Sequence, residues 1–301
     1  MGRRATLRAA TAAAALGAAT AAAAVLVSAC TLLRPLDGLT CEPGAGNASC
    51  LYGDACEADA DCATASCAAS TSTCQCPAGM VTIQSTFCID QTEVSNAAYK
   101  RFLETGPDVA AQEPFCAFNG SFAFDETVDE PGDMVPPDCL TRRKEDDYPA
   151  TCVDWCDARA YCKSLGKRLC GKLHGGALPY GGDTDGAHGE WYEACSKGGT
   201  RAYSTGELAL NCNGDGQEPV AVAVDAGAAC EGGYDGLRYM SGNIREWEDS
   251  CSGDVGPEDD CTTRGGSFDS GDAPEQLQCS ARQGSKRADT YHGIGFRCCS
   301  G

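Results

Sequence analysis

Twenty-three cysteines punctuate this chain, and the use made of them decides what it can fold into. Zinc needs compact CxxC pairs or Cys/His clusters. No CxxC occurs, and the histidines are only His174, His188 and His292. Disulfides are the remaining use, and they form and persist in an oxidising compartment. The chain therefore reads as an extracytoplasmic protein stapled by bridges. Its 301 residues allow one or two domains with a buried core.

The N-terminus points the same way. Arg3, Arg4 and Arg8 precede an apolar, Ala-rich run from Ala9 to Ala29, the shape of a secretory signal. The run ends Leu26-Val27-Ser28-Ala29-Cys30, which resembles a bacterial lipobox. Residues 1–29 are thus expected to be a lipoprotein signal peptide, with Cys30 carrying the lipid that holds the chain to a membrane. The competing reading is an uncleaved anchor, since the run is long enough to span a bilayer. Polar Thr11, Thr20 and Ser28, and the placement of Cys30, favour the lipobox. The formal charge of the whole chain is −20, and such an acidic surface repels nucleic acid and anionic lipid.

Residues 30–40 read as a lipid-anchored tether. Residues 41–79 form a separate module with seven cysteines between Cys41 and Cys76 and almost no large apolar residue. Such a stretch cannot build a core and must be held by disulfides. It looks like an EGF- or knottin-like spacer or protein-binding knob. Seven is odd, so either one bridge leaves the module or each part keeps a free thiol.

From Met80 the texture changes. Met80-Val81 and Phe87–Asp90 read as strands. Thr92 is the expected cap of a helix over 96–103. Residues 105–150, acidic and Pro-rich, read as loop. Asp154–Leu165 is the clearest helix, with Trp155, Ala158, Cys162 and Leu165 on one face and Gly166 ending it. Trp191–Cys195 again has helical character. No phosphate-binding loop, GxSxG elbow, HExxH helix or dinucleotide fingerprint appears.

Six segments in order carry a resemblance: FCIDQTEVSNAAYKRFL (87–103), VDWCDARAYCKSLGKRL (153–169), EWYEACSKGG (190–199), YDGLRYMSGNIREWEDSC (234–251), RGGSF (264–268) and GIGFRCC (293–299). Together they resemble the sulfatase-modifying-factor family, best known for the formylglycine-generating enzyme. The resemblance covers residues 80–301. It implies an α+β fold, irregular, C-type-lectin-like and rich in disulfides.

The resemblance also implies a set of site residues. Two bridges follow from the family pattern, Cys162–Cys298 and Cys195–Cys279. Cys212–Cys230 and Cys251–Cys261 are added from nearness across a loop. Asn243, Ile244 and Glu246 match a family calcium loop, and Asn211 the start of a second calcium site. A hard cation takes such oxygens, so structural Ca2+ is expected. The alternative is that Asn243 and Glu246 only bond within a turn.

The formylglycine-generating enzyme holds copper(I) through two cysteines just after its GGS turn, and soft thiolates suit that ion. Here the window, residues 269–276, reads DSGDAPEQ. Ser270 stands near the first position and Pro274 or Glu275 at the second, while Arg245 replaces an aromatic residue. Copper is therefore not expected, and no catalytic residue is assigned. Ser267, Asp269, Ser270, Asp272, Glu275 and Arg245 remain as pocket-rim residues. His174 and His188, flanking Asp183 and Asp185, are a weaker metal candidate.

Three functions fit the sequence. The first is an envelope lipoprotein that binds a peptide, glycan or envelope-protein ligand without formylglycine chemistry. The second is an extracytoplasmic oxidoreductase using other residues. The third is a structural protein with a filled pocket.

Overall fold

The computed structural model describes residues 66–68, 73–125, 145–173, 175–181, 189–208, 212–214, 220–226, 230–271 and 273–301. All belong to the second of two compact units, Glu42–Gly301. Cys30, the tether, most of the Cys-rich module, Asn211, Asp272, His174, His188, Asp183 and Asp185 lie outside the described residues.

Among the described residues, three small sheets and three short helices carry the fold. Strands β1 (Ser66–Ala68) and β2 (Thr73–Gln75) form an antiparallel pair. Strands β3 (Met80–Ile83) and β4 (Phe87–Asp90) join β5 (Arg168–Leu169) and β10 (Cys298–Ser300) in the order β3-β4-β10-β5. The third sheet runs β8-β7-β6-β9, from β6 (Arg245–Cys251), β7 (Asp260–Arg264), β8 (Gln283–Lys286) and β9 (Ile294–Gly295).

Helix α1 spans Asn96–Glu104. Its cap is Ser95, whose hydroxyl accepts from the Ala98 N–H, and not Thr92 as the sequence suggested. The Thr92 hydroxyl instead donates to the Glu93 carbonyl, and the chain stays extended through Ser95. Helix α2 spans Trp155–Ser164 and opens with a reciprocal capping box between Asp154 and Asp157. Trp155, Ala158 and Cys162 are buried, but Leu165 is 52% exposed. Leu165 is the C-cap, where the helical turn ends and its side chain leaves the apolar face. Helix α3 spans Glu190–Ser196. The expected loop over 105–150 holds two 3-10 turns, Val109–Ala111 and Pro114–Cys116.

Two apolar clusters meet at β10. Aromatic residues from α1 and α2 gather in the first, where Tyr99 stacks on Tyr161 and Phe102, Phe122 and Phe296 pack around them at tilted or edge-on angles. The second gathers Ile83, Phe87, Ile89, Trp191, Leu237 and Met240. Successive strand side chains point to opposite faces. Adjacent Cys298 and Cys299 therefore enter different clusters, and they bond to Cys162 on α2 and to Cys170 just after β5.

Further bridges are Cys195–Cys279, Cys212–Cys230, Cys251–Cys261 and Cys116–Cys156. Cys76 is bonded to Cys88 on β4, so a bridge joins the seven-cysteine stretch of residues 41–79 to the rest of the chain. Such bridges place the chain in an oxidising compartment.

Candidate functional site

The candidate site is built where β6 begins and β7 ends. Before β6, Gly242 has φ +105, and a Cβ there would stand 2.3 Å from the Cys212 carbonyl oxygen, so only glycine fits. Asn243 follows at φ +65, a conformation that asparagine tolerates. Its carboxamide oxygen accepts from Asn213 Nδ2 (3.0 Å) and from the Val222 N–H (2.8 Å). Its Nδ2 donates to Glu93 Oε1 (3.0 Å).

Strand β6 carries two fully buried carboxylates on one face, Glu246 and Glu248. Burying a charge is costly unless it is paired and hydrogen-bonded, and each has a buried arginine. Arg297 Nε lies 2.6 Å from Glu246 Oε2, and Nη2 lies 2.7 Å from Oε1. Trp191 Nε1 adds a third donor to Glu246 at 2.8 Å. Arg264 Nε holds Glu248 at 2.6 Å.

These contacts test the calcium expectation. Both lone pairs of the Asn243 oxygen have donors, and a guanidinium already occupies Glu246. As placed, the Asn243–Glu246 donor set does not fit a calcium ion. Sequence reasoning missed Arg297 as its counter-ion, although it sits in the quoted GFRCC segment.

Glu93 is the other residue the sequence did not single out. It is 1% exposed, and its Oε2 has no partner. Burial pushes its carboxyl up to about 8, with Glu246 adding to the rise and Arg297 and Asn243 opposing it. Asn213 Oδ1, in the same network, is likewise buried without a partner.

Beyond β7 the chain turns at Gly265-Gly266, both at positive φ. A Cβ on Gly266 would stand 2.7 Å from Leu277 Cδ2 and 3.0 Å from the Gln276 carbonyl oxygen, at a positive φ that strains any L side chain. Ser267 emerges fully buried. Its N–H donates to Ser270 Oγ (3.0 Å), and its hydroxyl donates to the carboxylate of exposed Asp269. Ser270, buried, donates in turn to Gln276 Oε1 (3.3 Å). Gln283 Nε2 donates to the same oxygen (2.6 Å), and Arg245 Nη1 donates to Gln283 Oε1 (2.6 Å). The structure thus brings Arg245, Ser267, Asp269 and Ser270 into one polar chain through Gln276 and Gln283. Glu275 is exposed on the Pro274–Leu277 3-10 turn and makes no side-chain bond to that chain. Gln276 and Gln283 carry no motif; Gln283 lies on β8 and Gln276 on the Pro274–Leu277 3-10 turn, and only the fold brings them together.

The nearest cysteines are spent. Cys279 is bonded to Cys195, and Cys261 to Cys251. Hydroxyl, amide and guanidinium groups line the loop, and they do not fit copper(I), which wants soft thiolates. Behind the loop, Phe268 tilts on His292 with ring centroids 5.5 Å apart, beside a cleft of about 10 Å³ also bounded by Tyr148, Thr151 and Ala221. A larger cavity of about 190 Å³, lined by Phe102, Pro107, Ala111, Phe122, Ala160 and Lys163 among others, shares no lining residue with that cleft.

An irregular α+β fold tied by disulfides, with a buried Glu–Arg strand and a Gly-Gly-Ser turn, defines the class. Residues 55–300 match the family model of the sulfatase-modifying factor enzyme 1-like domain, and the chain belongs to that family. No curated protein sequence is similar enough to count as a match. Among solved structures, the chain is similar to Treponema denticola variable protein 1, at 19% identity over 71% of this chain and 84% of that one, TM-score 0.42. It is also similar to PvdO from Pseudomonas aeruginosa, at 17% identity over 71% and 80%, TM-score 0.45. CarF matches at 22% identity over 71% and 85%, TM-score 0.38. At these scores the likenesses carry no argument about function.

Proposed function

We propose that this protein is a lipid-anchored envelope protein whose sulfatase-modifying-factor domain binds a ligand, a peptide, glycan or envelope protein, and does not make formylglycine. One observation carries the reading. The positions where thiolates would have to converge hold Ser270 and Pro274 or Glu275, Ser270 is hydrogen-bonded to Gln276, and the flanking cysteines are closed in disulfides. A disulfide sulfur is not a thiolate and does not serve as a metal ligand or nucleophile. What is left is a rigid polar rim on a cross-linked scaffold, which suits recognition.

The test is direct. The purified protein is incubated with copper(I), oxygen and a sulfatase-type CxPxR peptide, and the peptide mass is followed. No conversion is expected. Formylglycine above a metal-free control overturns the reading and makes the chain an oxidoreductase with ligands outside this loop.

A further inference from the structure

The cavity of about 190 Å³ is built from α1, α2 and the segment over 107–122, and it shares no residue with the Gly-Gly-Ser rim. Its deepest lining residues are Phe102, Phe122 and Cys156, each 5% exposed or less. The two rings stand tilted with centroids 5.6 Å apart, and rings so placed offer edge and face to a third. Ala111 and Ala160 continue the apolar wall toward solvent.

The walls are fixed before any ligand arrives. The Cys116–Cys156 bridge ties the segment to α2. Lys163 on α2 pairs with Glu113 on the segment (3.2 Å), and Asn119 Nδ2 donates to Asp157 Oδ1 (2.7 Å). Gln112 Nε2 donates to the Asn119 carbonyl (2.9 Å). A preformed pocket binds without the cost of ordering its own walls.

Volume and charge choose the ligand. An apolar cavity of about 150 Å³ already holds one benzene ring, so this one takes a ring with a short chain. Of the charged groups lining it, Lys163 is spent on Glu113. Asp108 is exposed, its Oδ1 takes the Ala110 N–H (2.9 Å), and it has no ion pair among the described residues. The unmatched charge at the mouth is therefore negative, and the formal charge of −20 on the whole chain draws cations toward it.

We propose that this cavity binds a small arylalkylammonium compound, with its ring against Phe102 and Phe122 and its ammonium at Asp108. The site is independent of the ligand-binding reading of the Gly-Gly-Ser rim.

The experiment uses fluorine NMR with the full chain in lipid nanodiscs, and empty nanodiscs as the blank. The probes are para-fluorophenethylamine, the uncharged para-fluorophenethyl alcohol and the anionic para-fluorophenylpropionate. The amine should bind saturably and tightest, and the propionate weakest. Ala160→Leu fills the cavity from α2 and should weaken the amine roughly tenfold, as for a ring denied burial, with a melting curve no lower than that of the wild type. Ala111→Leu fills it from the other wall and should do the same, which keeps the test open if the first variant is unstable. Asp108→Asn keeps the cap on Ala110, because asparagine caps as well as aspartate. It should weaken the amine about threefold, as for an exposed ion pair, and leave the alcohol unchanged. No saturable signal from the amine, or undiminished binding by both filled variants, overturns the site. Propionate as tight as the amine, or an amine indifferent to Asp108→Asn, overturns the cationic class. Tighter binding of N-acetyl-phenylalanyl-lysine amide moves the ring to a peptide side chain and overturns the small-molecule assignment.

Discussion

Arg297 and Glu246 face each other in a two-point ion pair, 2.6 and 2.7 Å long, with both side chains fully buried. The pair joins β6 to the chain between β9 and β10. Removing one partner of a buried pair leaves an uncompensated charge, at a cost of about 3–5 kcal/mol. Glu246→Gln should lose about that much stability in urea unfolding. The loss should be the same in calcium and in chelator, because Arg297 and not a metal ion satisfies Glu246. A chelator-dependent difference between wild type and variant would restore the calcium site.

Glu93 makes stability depend on pH. Its folded pKa, about 8, lies above the ordinary glutamate value of 4.5 because burial disfavours the charged form. The folded state then holds the proton more tightly than the unfolded state. Its contribution is fully present below about pH 4.5 and is lost as pH rises through about 8. The groups facing it are Glu246, Arg297 and Asn243. Glu93→Gln should flatten the melting temperature between those limits, with a wild-type loss of a few kcal/mol. A wild-type curve that already runs flat over that window would disprove the assignment.

The bridge Cys162–Cys298 closes a sequence separation of 136 residues. Chain-entropy reasoning gives a stabilisation of about 4–5 kcal/mol for a loop of that size. The double variant Cys162→Ala/Cys298→Ala should lose that order of stability. Peptide mapping without reduction should recover this pair together with Cys170–Cys299. Recovery of Cys298 bonded to Cys299 would refute the two-cluster arrangement at β10.

The anchor prediction concerns residues outside the described structure. Cys30→Ser should abolish lipid labelling and release the protein from membranes. Unchanged labelling in the variant would rule out Cys30 as the attachment point.

Much of the fold is written in local pattern. The capping box at Asp154, the helix at Trp155–Ser164, the strands at Met80 and Phe87, and the glycines of the Gly-Gly-Ser turn all follow from spacing and from conformations that only certain residues adopt. The disulfide-dependent class follows from cysteine number without CxxC pairs. The order of six motifs was enough to name the family.

Tertiary structure decided what those residues do. Asn243 and Glu246 read as cation ligands, yet their lone pairs face Asn213, Val222, Trp191 and Arg297, which come from three separate stretches of chain. Ser95 displaced Thr92 as the cap of α1 because the helix begins at Asn96, and only the residue just before it reaches the Ala98 N–H. Arg245 reads alike in sequence to Arg264 and Arg297, and only packing shows that those two meet buried carboxylates while Arg245 donates to Gln283. Local conformation is set by neighbours within a turn and so is legible in sequence. Pairing of buried charge depends on contacts between residues as far apart as Glu93 and Asn243, and no local pattern encodes it.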